Sequence, residues 1–245
     1  IKLMLNAYIY DGLRTPFGRH AGSLAKVRPD DLAAHVIKAL VAKHNLPADI
    51  FDDVILGNTN QAGEDSRNIA RHATLLAGLD VKTPAQTVNR LCASGLAAVI
   101  DAARAITCNE GDIFLAGGVE SMSRIAMGSD GGPWALDPET NLKSHFVPQG
   151  IGADLIATLD GYTRSDVDAF AANSQRKAAA AQAAGYFNQS VVAIKDKTGV
   201  TILDQDEFIK PSTTADGLAK LNPSFEMMGA MGFDAIALQQ YPEAQ

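Results

Sequence analysis

The sequence predicts an α/β protein built on a mostly parallel sheet covered by helices. Two patterns lead there. Through the first 120 residues, short β-branched runs alternate with longer runs of helical periodicity, which is the signature of strands joined by crossover helices. After Glu120 the composition changes to a glycine- and proline-bearing stretch followed by a long alanine-rich one, so a differently built region follows the sheet.

The elements can be assigned in order. Ala7 to Asp11 reads as a strand. Asp30 reads as the N-cap of a helix with Leu32, Val36, Leu40 and Val41 on one side. Asp53 to Gly57 is the next strand, and Arg67 to Ala77 a helix stopped by Gly78. Pro84 to Asn89 follows as a strand, Thr87 and Val88 supplying its β-branched character. Ala93 to Ile106 is alanine-rich, with an apolar stripe of Leu96, Val99 and Ala103, and Asp112 to Ala116 is a further strand. Gly128 to Pro138 holds three glycines and two prolines and is loop chemistry. Trp134 within it is either a recognition residue or an aromatic anchor for the loop. Thr163 or Ser165 caps a helix from Asp166 to Ala184, and Val191–Lys195 and Val200–Leu203 flank Lys197-Thr198-Gly199 as a hairpin. No internal repeat is visible.

Composition bounds the function. A 245-residue chain has material for one large domain or two modest ones. Its 47% hydrophobic and 20% charged residues place it among ordinary globular proteins. The net charge of −7 argues against nucleic acid as a partner, because phosphate binding needs a basic surface. No apolar run approaches a membrane span, no secretory leader is read before Ile1, and no membrane partner is expected. The five histidines lack ligand spacing, so no metal site is expected. Cys92 and Cys108 are the two cysteines. Carried sixteen residues apart along one helix, they would lie roughly 24 Å apart, beyond disulfide reach. Free thiols suit a reducing, cytoplasmic setting.

Cys92 stands where the Pro84–Asn89 strand gives way to the following helix. A thiol there faces the unpaired N–H groups and the positive end of the helix dipole, which favour thiolate over thiol. That is the surrounding of a nucleophilic cysteine, although a small buried hydrophobe is the other common use of a free cysteine. In open α/β sheets the chemistry sits beyond the carboxyl ends of the strands, which is where Cys92 falls.

The words around Cys92 extend the argument. Asn89-Arg90-Leu91-Cys92-Ala93-Ser94-Gly95 resembles the nucleophile segment of the thiolases, the acyl-CoA acetyltransferases. Tyr8 to Gly18, with its Arg-Thr-Pro-Phe-Gly turn, resembles their opening strand; Asn60-Gln61-Ala62-Gly63 and Asn68-Ile69-Ala70-Arg71 resemble the loop and helix after their second strand. Ala116 to Ser123 matches their Gly-Gly-x-Glu-Ser-Met-Ser segment, and Ser174 to Ala178 with Ala184 to Phe187 matches the long helix of their loop domain. The resemblance is closest to thiolases of fatty-acid or aromatic-acid breakdown, including the 3-oxoadipyl-CoA type.

That resemblance implies a thiolase-like, mostly parallel sheet with helices on both faces and an inserted loop domain. Residues 1–120 would form the N-terminal α/β domain, without its final strand, and residues 121–245 the loop domain that covers the substrate. It implies ping-pong acyl transfer: Cys92 becomes acylated, and the acyl group passes to CoA, or to a second acyl-CoA in Claisen condensation. Coenzyme A and acyl-CoA are then substrates, no cofactor is bound permanently, and the protein is a homodimer or dimer of dimers. Lys210 falls where the family has a basic residue contacting CoA, while Gly217 replaces a serine contact and Gln149-Gly150 departs from the usual Met-Gly.

A cysteine alone does not complete this chemistry, which needs a base, a second acid/base and oxyanion donors. Family members take these from a second half containing an Asn-bearing segment, Gly-His-Pro and Cys-x-Gly, none of which occurs here. Cys108 does not match the second cysteine, and His72 and His145 match no family catalytic position, so packing roles are expected of all three. The chain is therefore read as part of a longer enzyme, inactive on its own, with an open sheet edge. Two rivals remain: a non-catalytic lipid-carrier or assembly protein on a thiolase fold, and a ketoacyl-synthase-like condensing enzyme, against which the Gly-Gly-Val-Glu-Ser-Met-Ser segment speaks.

Overall fold

The computed structural model describes residues 6–244. They fall into two units, residues 6–130 with Phe187–Phe208, and Gly131–Tyr186 with residues 209–244.

The first unit is built on a parallel three-stranded sheet. Its strands are β1 (Asp53–Gly57), β2 (Ala85–Val88) and β3 (Phe114–Gly118), in the order β2-β1-β3. Ile55 lies opposite Gln86 on one side and Ala116 on the other. The central strand is buried from Val54 to Gly57, as a parallel strand covered on both faces must be. Alternation along it sends side chains two ways. Val54 and Leu56, with Leu115, pack against Ile37 of α1 (Pro29–Lys43) and Ala70 and Ala73 of α2 (Ile69–Ala77). Ile55 points to the opposite face and meets Ala98 and Ala102 of α3 (Ser94–Thr107). The sheet thus has helices on both faces.

Local chemistry sets the boundaries. Asn68 caps α2 by accepting the Arg71 N–H at 3.1 Å, and Gly78 ends it at φ +82, a left-handed conformation that glycine adopts without penalty. α1 begins earlier than Asp30, because Pro29 occupies its first position with φ already preset. Asp30 is instead buried in the first turn, where it receives the Arg28 guanidinium, the Nε contact being 2.9 Å. The buried face of α3 is also not the expected stripe. Ala98 and Ala102 pack on the sheet, while Leu96 is 63% exposed, because a helix lying this close to the strands admits only small side chains.

Ala7 to Asp11 is not a strand. It has no ladder partner among the described residues, and Tyr8, Ile9 and Tyr10 are exposed. β3 begins two residues later than expected, at Phe114, after Asp52 accepts the Asp112 and Ile113 N–H groups at 2.7 and 3.0 Å. Along the outer edge of β3 runs a cavity of about 550 Å³, bounded by residues 11–20, the inner face of α1 and the segment to Ser123.

The returning segment 187–208 is held to this unit by Arg14. Its guanidinium binds Asp206 at 2.6 and 2.9 Å and lies over the rings of Phe17 and Phe187. The segment contains the expected hairpin, β4 (Ile194–Lys195) and β5 (Thr201–Leu203), with Gly199 at φ +89 in its turn. Ile194 joins Leu24 and Leu32 in a small core.

The second unit is helical. The glycine- and proline-rich stretch expected as loop carries two short helices, α4 (Pro133–Leu136) and α5 (Pro138–Lys143), each started by a proline at its first position. Trp134 stacks on Phe146 with ring centroids 5.2 Å apart, which makes it an anchor of this stretch. α6 (Gln149–Leu159) and α7 (Arg164–Ala183) follow. α7 opens on a capping box between Thr163 and Asp166, and Arg164 reaches Asp168 and the carbonyls of Leu218 and Leu221. The Phe225 ring lies against Gly150, where a Cβ would approach it to 2.1 Å. No helix among the described residues is long and apolar enough to cross a membrane.

Candidate active site

Between Val88 and Ser94 the chain turns from β2 into α3, and Cys92 is exposed in that turn. The turn depends on Leu91, which sits at φ +50, a conformation that costs a side-chain-bearing residue roughly 1–2 kcal/mol. Hydrogen bonds on both sides of the residue offset this. The Leu91 N–H donates to Asn89 Oδ1 at 2.9 Å. Its carbonyl accepts the Ser94 N–H at 3.0 Å, the Ser94 hydroxyl at 2.6 Å and the Thr59 hydroxyl at 3.1 Å. Ser94 Oγ also accepts the Arg90 N–H at 2.8 Å, and Asn89 Nδ2 donates to the Thr59 carbonyl at 3.0 Å. Backbone strain held by surrounding contacts is a recurrent feature of functional sites.

Glycines seat this turn on the sheet. A Cβ at Gly57, the last residue of β1, would lie 2.4 Å from the Ser94 carbonyl carbon and 2.5 Å from the Gly95 nitrogen. A Cβ at Gly118, the last residue of β3, would lie 3.0 Å from the Gly57 oxygen and 3.4 Å from Gly95 Cα. The start of α3 therefore rests directly on the carboxyl ends of two strands. No side chain caps this helix: Ala93 at the N-cap offers none, and the first turn carries no acidic residue. Its Ser94 N–H is taken by the Leu91 carbonyl, and the positive end of its dipole lies at the turn.

Behind the turn stands a carboxylate–amide scaffold. Glu120 accepts the Thr59 N–H at 2.8 Å and both the backbone and side-chain N–H groups of Asn60 at 3.2 Å. Asn58, fully buried, donates to the Val119 carbonyl and to Asp65 Oδ2, each at 2.9 Å. Its own N–H donates to the Val88 carbonyl at 3.1 Å, so one residue ties the end of β1 to the ends of both neighbouring strands. Burial pushes the Asp65 carboxyl up to about 6, with nearby Glu120, Glu64 and Asp30 adding to the rise and the Asn58 amide opposing it.

Cys92 lies at the start of α3 and Cys108 at its C-cap, so the helix separates them; both are free and exposed, and Cys108 therefore does not take the packing role expected of it. His72 is exposed on α2. Lys210 and His145 belong to the second unit; the Lys210 N–H donates to Gln175 Oε1 at 2.7 Å, and His145 follows α5 at φ +50, lining a small recess with Leu155 and Tyr241. Gly217 lies in α8 (Ala215–Leu218), its N–H bound to the capping Thr214 hydroxyl at 3.1 Å. Sequence reasoning missed Gly57, Thr59, Ser94 and the Asn58–Asp65 pair. Gly57 carried a signal, since a glycine closing a buried strand often marks close backbone approach. The side-chain pairings carried none.

The residues 7–232 match the family model described as thiolase, N-terminal domain. A beta-ketoadipyl-CoA thiolase of Pseudomonas knackmussii is 47% identical, the match covering 88% of this chain and 59% of that protein. The 3-oxoadipyl-CoA/3-oxo-5,6-dehydrosuberyl-CoA thiolase of Escherichia coli is 43% identical over 93% of this chain and 62% of its own length. A 3-ketoacyl-CoA thiolase of Pseudoalteromonas translucida is 40% identical over 91% and 58%. The chain thus spans about three fifths of the length of these curated relatives.

Proposed function

Because the chain belongs to the thiolase family, we propose that the protein carrying it is an acyl-CoA C-acyltransferase with Cys92 as its nucleophile. In this reading the Cys92 sulfur attacks the 3-keto carbon of a 3-ketoacyl-CoA and the C2–C3 bond breaks. The shortened acyl group stays on sulfur as a thioester, and the C2 fragment takes a proton from an acid group and leaves as acetyl-CoA. Coenzyme A then removes the acyl group in thiolysis, and the reverse sequence is Claisen condensation. The observation that carries the reading is the Cys92 turn itself: an exposed thiol before an uncapped helix start, clamped through Leu91 and seated on glycine strand ends. Exposure excludes a core-filling role, and the held turn before a helix start separates Cys92 from Cys108, which is also exposed but lies at the helix C-cap. The relatives' names favour a 3-oxoacyl-CoA such as 3-oxoadipyl-CoA as the substrate.

In place of a division at residue 120, this reading assigns the loop domain to Gly131–Tyr186 with residues 209–244, Lys210 being its CoA contact, and the nucleophile domain to residues 6–130 with Phe187–Phe208. Two-fold pairing through β2 is part of the proposal, supported by the position of β2 at an edge of the sheet, where its outer N–H and C=O groups are available to another strand. An exposed reactive thiol suits the reducing cytoplasm.

The test is intact-mass and peptide analysis of the full-length protein after incubation with acyl-CoA. The adduct is expected on Cys92, and Cys92→Ala is expected to abolish transfer while leaving the fold nearly unchanged. An adduct confined to Cys108, or none, overturns the assignment and favours a binding or assembly role.

A further inference from the structure

Two buried oxygens near the nucleophile turn lack a donor. Asn58 is 1% exposed and Asp65 is completely buried. Asn58 Nδ2 uses its protons on Asp65 Oδ2 and the Val119 carbonyl, both at 2.9 Å. Both partners are acceptors, so the amide cannot be turned over without losing both bonds. Asn58 Oδ1 is therefore left facing no donor, and Asp65 Oδ1 is in the same state. Buried acceptors are ordinarily paired, because an unpaired one keeps the full desolvation penalty.

A single proton resolves both. We propose that Asp65 is a positioning residue for Cys92 that acts as the carboxylic acid, its Oδ1–H donating to Asn58 Oδ1 while its Oδ2 accepts from Asn58 Nδ2. An acid facing an amide can close such a cyclic pair with every polar atom used. The inference rests on Cys92 being the nucleophile.

The charges around Asp65 point the same way. Burial is the main cause of its rise to about 6, and the acidic groups that face it add to it: Glu120 after β3, Glu64 in the turn Gly63–Asp65, and Asp30 on α1. The nearby cations are already committed, Arg28 to Asp30 and Arg124 to Glu64. A further negative charge at Asp65 has no partner, whereas the neutral acid relieves the repulsion.

The connection to Cys92 is short. Asn58 binds the ends of β2 and β3 through Val88 and Val119. The next residue, Thr59, donates its hydroxyl to the Leu91 carbonyl and accepts Asn89 Nδ2. Movement of Asn58 therefore reaches both flanks of the nucleophile turn.

The pH behaviour follows from the direction of the shift. A carboxyl held above its ordinary 3.8 binds its proton more tightly in the folded state. Its stabilising effect is complete below about 4 and is lost as pH rises through about 6. The experiment compares full-length wild type, Asp65→Asn and Asp65→Ala by urea unfolding across that range and above it, by kcat and KM for thiolysis, and by peptide-mapped acylation of Cys92. The amide of Asp65→Asn reproduces the acid's donor and acceptor, so this variant should keep wild-type stability and kcat at the acidic end and lose the decline through about pH 6. Asp65→Ala should lower the folded-to-unfolded ratio by a factor of about 5–30 and reduce kcat by about 10- to 100-fold with KM little changed. If Asp65→Ala does not fold, the pH profile of Asp65→Asn decides alone. Damage by Asp65→Asn equal to that by Asp65→Ala, or a wild-type decline that persists in Asp65→Asn, overturns the proposal in favour of an ionised Asp65 served by a buried water. Failure of wild type to acylate Cys92 would refute the catalytic reading separately, while the unfolding profiles still decide the proton.

Discussion

Gly57→Ala should damage catalysis more than it damages the fold. The backbone of Gly57 does not need a positive φ, so alanine is conformationally acceptable there and the penalty is one of space. The added Cβ would lie 2.4 Å from the Ser94 carbonyl carbon, 2.5 Å from the Gly95 nitrogen and 2.7 Å from Ser94 Cβ. Ordinary contact lies near 3.5 Å, so the start of α3 must retreat by about 1 Å. The obstructing atoms are mostly backbone and cannot swing away. Overpacking of this kind costs about 1–3 kcal/mol, and a displacement of about 1 Å at a reacting group reduces rate by about 100-fold. Urea unfolding and steady-state thiolysis of the full-length protein measure the two effects, with a lower kcat and a nearly unchanged KM expected. Gly152→Ala is the control with opposite sign. It lies within α6 with nothing inside 4 Å of its Cβ, and alanine there should stabilise by roughly 0.5–1 kcal/mol. A Gly57→Ala enzyme with wild-type stability and kcat would show that α3 is not seated on β1 in the way described.

Two further outcomes are expected. The Arg14 hydrogen bonds hold the Asp206 carboxyl below its ordinary range against the effect of burial, so its stabilisation is present above about pH 4 and lost as pH falls below it; Asp206→Asn should lower the urea midpoint at pH 7 and lose part of that difference at pH 3. Light scattering of the full-length protein should show a dimer or a multiple of it, and a monodisperse monomer would refute pairing through β2.

Much of the sheet was legible because its determinants are local. The β-branched run from Asp53 to Gly57 forms β1 at those bounds, and Asn68 and Gly78 mark the limits of α2 through hydrogen bonding and a left-handed φ that adjacent residues supply. The hairpin around Gly199 was legible for the same reason. Ala7 to Asp11 was not, because a strand exists only when another strand pairs with it, and residue pattern cannot supply the partner.

For the site, the sequence by itself determined the nucleophile candidate and the family, since both reside in contiguous words of the chain. The thiol, the strand before it and the helix after it are neighbours along the backbone. Tertiary structure decided what holds that thiol in place: the seating of α3 on Gly57 and Gly118, the clamp of Thr59 and Ser94 on Leu91, and the buried Asn58–Asp65 pair. It also decided that residues 187–208 pack with the sheet, through Arg14 and Asp206, which are 192 positions apart. Hydrogen bonds and close contacts join atoms by distance in space, and a pattern read along one chain carries no record of which remote residues will meet.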